Sequence, residues 1–200
     1  MKFLNSPKTG LLFVISAPAG TGKNTLVNRL KKEFTSIAES VSFTTRPPRE
    51  GEVDGIHYHF VSPREFQKKV KNGEFLEHAQ LFDHDYGTSK EEIRRLQKEG
   101  KDVVLVIDTQ GALFLKQHVE GIFIFIEPPS LEELRRRLIL RKTESDAMLE
   151  KRLLWAKEEM KAALLYDYLI VNEDLEIAYQ VLRSIFIAEE HRIRKKGGEK

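Results

Sequence analysis

The residues best equipped for chemistry lie in one stretch, Ser16-Ala17-Pro18-Ala19-Gly20-Thr21-Gly22-Lys23-Asn24-Thr25. Gly20 and Gly22 permit φ values and close backbone approaches that a Cβ blocks. The N–H groups of such a turn, with the positive end of a following helix, can surround an anion. Lys23 adds a mobile cation for β- and γ-phosphate oxygens. Ala17 through Thr25 therefore reads as a cradle for nucleotide phosphates. Two positions depart from the pattern G-x-x-x-x-G-K-[ST]. Ala17 replaces its first glycine, and Asn24 stands where a hydroxyl usually holds Mg²⁺. An amide oxygen is the poorer ligand, so the metal is expected to be held weakly, at Asn24 through water or with help from Thr25.

Other residues could complete a transfer site. Asp108 ends the apolar run Val103-Val104-Leu105-Val106-Ile107. Ligands of open α/β sheets bind beyond the carboxyl ends of strands, so an acid there can orient metal-bound water or accept from a substrate. A solvated strand terminus is the competing reading. Arg46 and Arg49 flank Pro47-Pro48, which stiffens their loop. Their planar forks match phosphate oxygens and can grip a second phosphate; arginines on a surface turn are the alternative, worth little. Arg135, Arg136, Arg137 and Arg141 crowd one segment, with Arg137 and Arg141 on one helical face. They suit a lid that brings positive charge over a moving phosphoryl group and excludes water. They equally suit a solvated basic face paired to Glu132 and Glu133.

These residues need a scaffold, and the chain supplies alternating signals for one. Leu11–Ile15 is a buried-strand run, followed by a helix with Leu26, Val27, Leu30 and Phe34 on one face. From Ser40 to Phe60, short strands, turns and a hairpin are expected, with Ile56, Tyr58 and Phe60 sharing a strand face. Ser62, Pro63 and Glu65 open a helix with a capping box, Phe66 and Val70 face its core, and Asn72-Gly73 ends it. Phe75–Ala79 is another strand, and this region reads as an insert outside the parallel sheet. Ser89 and Glu92 cap a helix running to Gly100. Val103–Asp108, Ile122–Ile126 and Tyr168–Asn172 are further strands. Ser130 with Glu133 opens the arginine-bearing helix. Asp146 opens a long one with Leu149, Leu153, Ala156, Met160 and Leu164 on its face, and residues from Leu175 to about Arg194 form a closing helix. Strands alternating with helices imply a three-layer α/β fold around a parallel sheet.

Composition narrows the classes of function. Two hundred residues suit one domain with a substantial core, and a formal net charge of +2 gives no overall field for nucleic acid. The basic run His191–Lys196 fits a solvated helix end. Cysteine is absent, which excludes disulfide and thiolate chemistry. No apolar stretch reaches roughly 18 residues, so no membrane span is expected and a cytoplasmic protein is.

The chain resembles the guanylate kinases, ATP:GMP phosphotransferases of the nucleoside monophosphate kinase group, from about Leu12 to Ala188. The most specific match is Ser42-Phe43-Thr44-Thr45-Arg46-Pro47-Pro48-Arg49-Glu50-Gly51-Glu52 with Gly55 and Tyr58, similar to the family's GMP-binding signature. Gly73–Glu77, Tyr86-Gly87-Thr88, Ile107–Gly111 and Ile170–Asp174 also match. The resemblance implies that Ser42, Glu77, Thr88 and Asp108 hold guanine, whose N1–H and 2-amino donors a carboxylate can accept. Arg46, Arg49, Tyr58 and Tyr86 would hold the GMP phosphate. Lys23 and the loop from Ala17 to Thr25 would hold ATP phosphates, with Asn172 near adenine. Arg137, Arg141 and Arg152 would close over the transferring group, and Asp108 would meet Mg²⁺ through water.

The resemblance further implies a single domain over 1–200 with three parts. These are a P-loop kinase core, a small mixed β/α GMP-binding insert over 41–90 and a helical lid over 130–155. ATP and GMP are the partners it implies, without nucleic acid or membrane, in a monomer or homodimer. Val106 departs from a common acid two residues before Asp108, and Lys142 from a glycine after Arg141. A guanylate-kinase-like binding module without catalysis is the alternative, kept open by Asn24 and Val106.

Overall fold

The computed structural model describes residues 10–81, 83–140 and 146–193. In chain order the elements begin with β1 (Leu12–Ser16), α1 (Lys23–Glu33), β2 (Ile37–Glu39), β3 (Phe43–Thr44) and β4 (His59–Phe60). There follow α2 (Pro63–Lys71), β5 (Phe75–Leu81), β6 (His84–Ser89), α3 (Lys90–Lys98) and β7 (Asp102–Val106). The chain continues through α4 (Thr109–His118), β8 (Ile122–Glu127), α5 (Leu131–Leu140) and α6 (Asp146–Lys161). A 3-10 turn, Ala162–Leu165, leads to β9 (Tyr168–Val171) and α7 (Leu175–His191).

Five strands pair in the order β2-β7-β1-β8-β9, every pair parallel. Strand geometry sends alternate side chains to opposite faces, and each face here is covered by helices. Phe13, Ile15, Val104, Ile124 and Ile126 meet α1 and α7 through Leu26, Leu30, Leu182 and Phe186. The Phe13 and Phe186 rings stack with centroids 3.7 Å apart. Leu12, Val14, Leu105 and Phe123 turn the other way, onto Ile93 and Leu96 of α3 and Leu115 of α4. This is the expected three-layer arrangement. β1, buried on both faces and flanked by β7 and β8, fixes the edge from which the glycine-bearing turn departs.

A second, four-stranded sheet has the order β4-β3-β6-β5. Its helix α2 carries the full capping box: Ser62 Oγ accepts from Glu65 N, and the Glu65 carboxylate accepts from Ser62 N. The hairpin expected between Ser40 and Phe60 is not what forms. β3 pairs parallel with β4, and its antiparallel partner is β6. Residues 53–58 coil instead, with Gly55 N donating to Tyr58 O at 2.8 Å and Phe60 N donating to Asp54 Oδ1 at 2.8 Å. Ile56 therefore leaves its expected face and is 67 % exposed.

α5 and α6 pack on each other through Leu134, Leu138, Leu149 and Ala156. Leu164, assigned from spacing to the buried face of α6, falls in the 3-10 turn and is 91 % exposed. The closing helix ends at His191, short of the expected Arg194, and Arg194–Lys196 lie outside the described residues. Among the described residues no helix is long and apolar enough to cross a membrane.

One buried polar contact pins the central strand. Asp102 Oδ1 accepts from Leu11 N at 2.7 Å, satisfying a backbone donor just before β1. Asp102→Ala leaves that N–H unpaired in a partly buried setting, at a cost of about 1 kcal/mol. The check is urea unfolding, in which the midpoint should fall at unchanged slope; an unmoved midpoint would show that water replaces the carboxylate freely.

Candidate active site

The glycine-bearing turn leaves β1 and becomes α1 with Gly22 as its N-cap, at φ +90°. A Cβ at Gly22 would stand 2.7 Å from Asn172 Nδ2, so both conformation and space demand glycine. The turn is braced from inside and outside. Thr21 Oγ1 donates to Pro18 O at 2.9 Å, and the buried Asn172 amide donates to Thr21 O at 2.5 Å. Arg137 then holds the brace, donating from Nη2 to Asn172 O at 2.9 Å. Asn172 thus faces the turn's backbone and gives it one amide N–H.

Lys23 is the first residue of α1, and its Nζ donates to Ile107 O at 3.3 Å. Burial depresses the ammonium below its ordinary value, while the carboxylates of Glu159, Asp108 and Glu39 oppose that fall. Asn24 and Thr25 are exposed on the same first helical turn.

Asp108 is the N-cap of α4, with Oδ1 accepting from Gly111 N at 2.9 Å. It is therefore a helix cap as well as the acid beyond the strand. Glu77 arrives from the second sheet. A register irregularity between Phe75 and Glu77 places Glu77 directly across from Thr88 and buries both. Thr88 Oγ1 donates to Glu77 Oε1 at 2.5 Å. The other carboxylate oxygen lies so near Gly111 that a Cβ there would stand 2.6 Å away. Burial pushes the Glu77 carboxyl up from 4.5 to about 7; Thr88 opposes this and the Asp108 charge adds to it. Two acids and a hydroxyl thus converge at one helix N-terminus. Ser42 stands one residue before β3, its carbonyl accepting from His59 N at 2.9 Å, and is partly exposed.

The second basic group assembles around Arg46. Its Nη2 meets Glu52 Oε1 at 2.8 Å and its Nη1 donates to Pro47 O at 2.7 Å. The guanidinium lies 5.4 Å from the Tyr58 ring centroid, and Tyr58 meets Tyr86 edge-on at 5.9 Å. Arg49 is exposed at the rim of this group. The structure thus brings Arg46, Arg49, Tyr58 and Tyr86 together.

On the α5–α6 pair, Glu133 takes both Arg136 and Arg137, at 2.7 Å, and its carboxyl is held down at about 2 by these hydrogen bonds. Arg135 pairs with Glu150 across the two helices. Glu132, named with Glu133 as an expected partner, takes no part among these pairs. Arg152 is half-buried on α6, whereas Arg141 and Lys142 lie outside the described residues.

Two acids that sequence reasoning left unassigned belong to the site. Glu52 holds Arg46, and its signal was its place inside the Arg46–Tyr58 motif. Glu159 is buried on α6, accepts from Thr109 Oγ1 at 2.9 Å and acts on Lys23. Nothing in the pattern of α6 separates it from the exposed Glu158.

A parallel sheet in this order, with a glycine-lysine turn after its central strand and an arginine-bearing helical pair beside it, defines a P-loop kinase of the α/β class. The guanylate kinase family profile matches residues 9–189. The guanylate kinase of Protochlamydia amoebophila is 57 % identical over 189 residues, covering 94 % of this chain and 96 % of that one. That of Chlamydia pneumoniae is 54 % identical over 182 residues, covering 90 % and 89 %. The crystal structure of guanylate kinase from Anaplasma phagocytophilum superposes with a TM-score of 0.77 at 36 % identity, over 92 % of this chain and 88 % of that one. The chain belongs to the guanylate kinase family.

The raised Glu77 carboxyl has a consequence for stability. A carboxyl whose folded pKa is raised favours the fold fully below 4.5, and that contribution is lost as pH rises toward about 7. The displacement corresponds to at most about 3 kcal/mol. Glu77→Gln removes it, so the wild type should lose stability relative to this variant between pH 5 and pH 8 in parallel urea titrations. A pH-independent difference would contradict the burial of an ionisable Glu77.

Proposed function

We propose that this chain transfers the γ-phosphoryl group of ATP to the phosphate of GMP or dGMP, giving ADP and the diphosphate. The observation that carries this is the presence of two separate basic groups, the Lys23 turn and the Arg46–Arg49–Tyr58–Tyr86 cluster, together with the Glu77–Thr88–Asp108 group at the start of α4. A single-nucleotide site needs only one. ATP phosphates lie against the N–H groups of Ala17 to Thr25 and the positive end of α1. Asn172 serves ATP by keeping that turn in shape. The guanine N1–H and 2-amino donors meet the Glu77 and Asp108 carboxylates, with Ser42 and Thr88 as hydroxyl partners. Adenine lacks that donor pair and would leave buried acceptors unpaired.

Catalysis is positioning and charge stabilisation. A GMP phosphate oxygen attacks the γ-phosphorus in line, and the bond to the β-phosphate oxygen breaks; no covalent enzyme intermediate forms. Lys23 stabilises charge on the donor side, and Arg46 and Arg49 hold the acceptor. Arg137 and Arg152, with Arg141, cover the transferring group as the lid over 130–155 closes on the insert over 41–90. The residues present fit Mg²⁺ as a largely hydrated ion. Among the described residues no group of three or more His, Cys, Asp or Glu side chains gathers to hold a metal. Asn24 and Thr25 are exposed beside Lys23, and Mg²⁺ usually keeps several waters on one or two protein ligands. Asn24 or Thr25, and Asp108 through water, would hold it, where it supplies charge neutralisation on phosphate oxygens. We place the reaction in purine nucleotide metabolism in the cytoplasm.

Arg46→Ala tests the division of labour. It should raise the KM for GMP by roughly tenfold or more, the loss of a charge-assisted bidentate contact, while leaving the KM for ATP nearly unchanged. Equal changes in the two constants would remove Arg46 from the acceptor site.

A further inference from the structure

We propose that Glu52 is a positioning residue for the acceptor phosphate: its carboxylate joins the Arg46 guanidinium to the Arg49 backbone, so that both forks face one anion. This rests on the assignment of Arg46 and Arg49 to the acceptor site and deepens it. Glu52 Oε1 accepts from Arg46 Nη2 at 2.8 Å, and Oε2 accepts from Arg49 N at 2.7 Å. Glu52 N returns a hydrogen bond to Arg49 O at 3.0 Å, closing the turn on itself. The side chains of Arg46 and Glu52 are only 10 % and 18 % exposed, so solvent screens this pair less than a surface bridge.

The other end of the loop is equally fixed. Thr44 Oγ1 accepts from Arg46 N at 3.1 Å and donates to Asp85 O at 3.0 Å, and Asp85 N donates to Thr45 Oγ1 at 2.9 Å. The loop is thus tied at its start to the residue before Tyr86 and at its end by Glu52. A guanidinium has five N–H donors, of which Arg46 spends one on Glu52 and one on Pro47 O. Tyr86 is a further hydrogen-bonding neighbour of the guanidinium, and the donors that remain are left for an anion, against the Tyr58 and Phe60 rings. Holding such a flexible cation in advance lowers the entropy lost on binding.

The sign of one substitution decides between positioning and simple charge. An acid beside a phosphate site repels the phosphate, so if Glu52 acts only through its charge, removing it should tighten GMP binding. Positioning predicts the opposite. Glu52→Ala should raise the KM for GMP by roughly tenfold, the equivalent of one lost charge-assisted hydrogen bond, with the KM for ATP and the thermal midpoint little changed. Glu52→Gln, which keeps an acceptor oxygen, should give an intermediate rise and carries the test if the alanine variant does not fold. In an Arg46→Ala background, Glu52→Ala should add little. A KM for GMP that is unchanged or lowered in both Glu52 variants, while Arg46→Ala raises it, overturns the proposal alone. So does a full multiplicative effect in the double variant. If Arg46→Ala itself leaves GMP untouched, the acceptor-site assignment falls and this inference with it.

Discussion

A turn that offers backbone N–H groups to a phosphate has few of them left to hold itself together; here Thr21 N donates to Pro18 O at 3.3 Å. Residues 17–22 therefore depend on partners from elsewhere in the chain, and most of the architecture around them can be understood as meeting that need. Thr21 bonds back within the turn, Asn172 braces it from the end of β9, and Arg137 braces Asn172 from α5. β1 supplies the rigid base, since it is buried on both faces of the sheet. Gly22 is confined to glycine because its left-handed conformation and the nearness of Asn172 both exclude a side chain. The brace also joins the glycine-bearing turn to the arginine-bearing helix through one hydrogen-bonded path.

A second constraint is electrostatic. Lys23, Asp108, Glu77 and Glu159 are drawn into one poorly solvated region at the carboxyl edge of the sheet. Burial acts against three of these charges, lowering Lys23 and raising Glu77 and Glu159, while the Lys23 and Glu159 charges favour one another.

The parts legible from sequence are those stabilised locally. β7 and β8 are built on apolar runs rich in valine, isoleucine and phenylalanine, and α2 begins with its whole capping box. The parts that were not legible owe their form to distant partners. β2, only Ile-Ala-Glu, exists because it pairs with β7. β6, rich in polar residues and glycine, is held between β3 and β5. α4 was hidden because its cap, Asp108, looked like the end of a strand and Gly111 sits in its first turn. The apolar alternation of Ile56, Tyr58 and Phe60 misled in the other direction, since the Asp54 side chain and Gly55 coil that segment before a strand can form. At the site, residue types announced phosphate and acid chemistry. The capture of Arg46 by Glu52 and the burial of Glu159 appeared only with the packing.

The most direct measurement is ADP formation from ATP and Mg²⁺ with GMP, AMP, CMP and UMP offered one at a time. The account predicts turnover with GMP and at most a trace with the other three, because only guanine presents paired donors to Glu77 and Asp108. Comparable turnover with AMP would contradict the role given to those carboxylates. No turnover with any of the four, while GMP still binds in a calorimeter, would contradict phosphoryl transfer itself and leave a binding module.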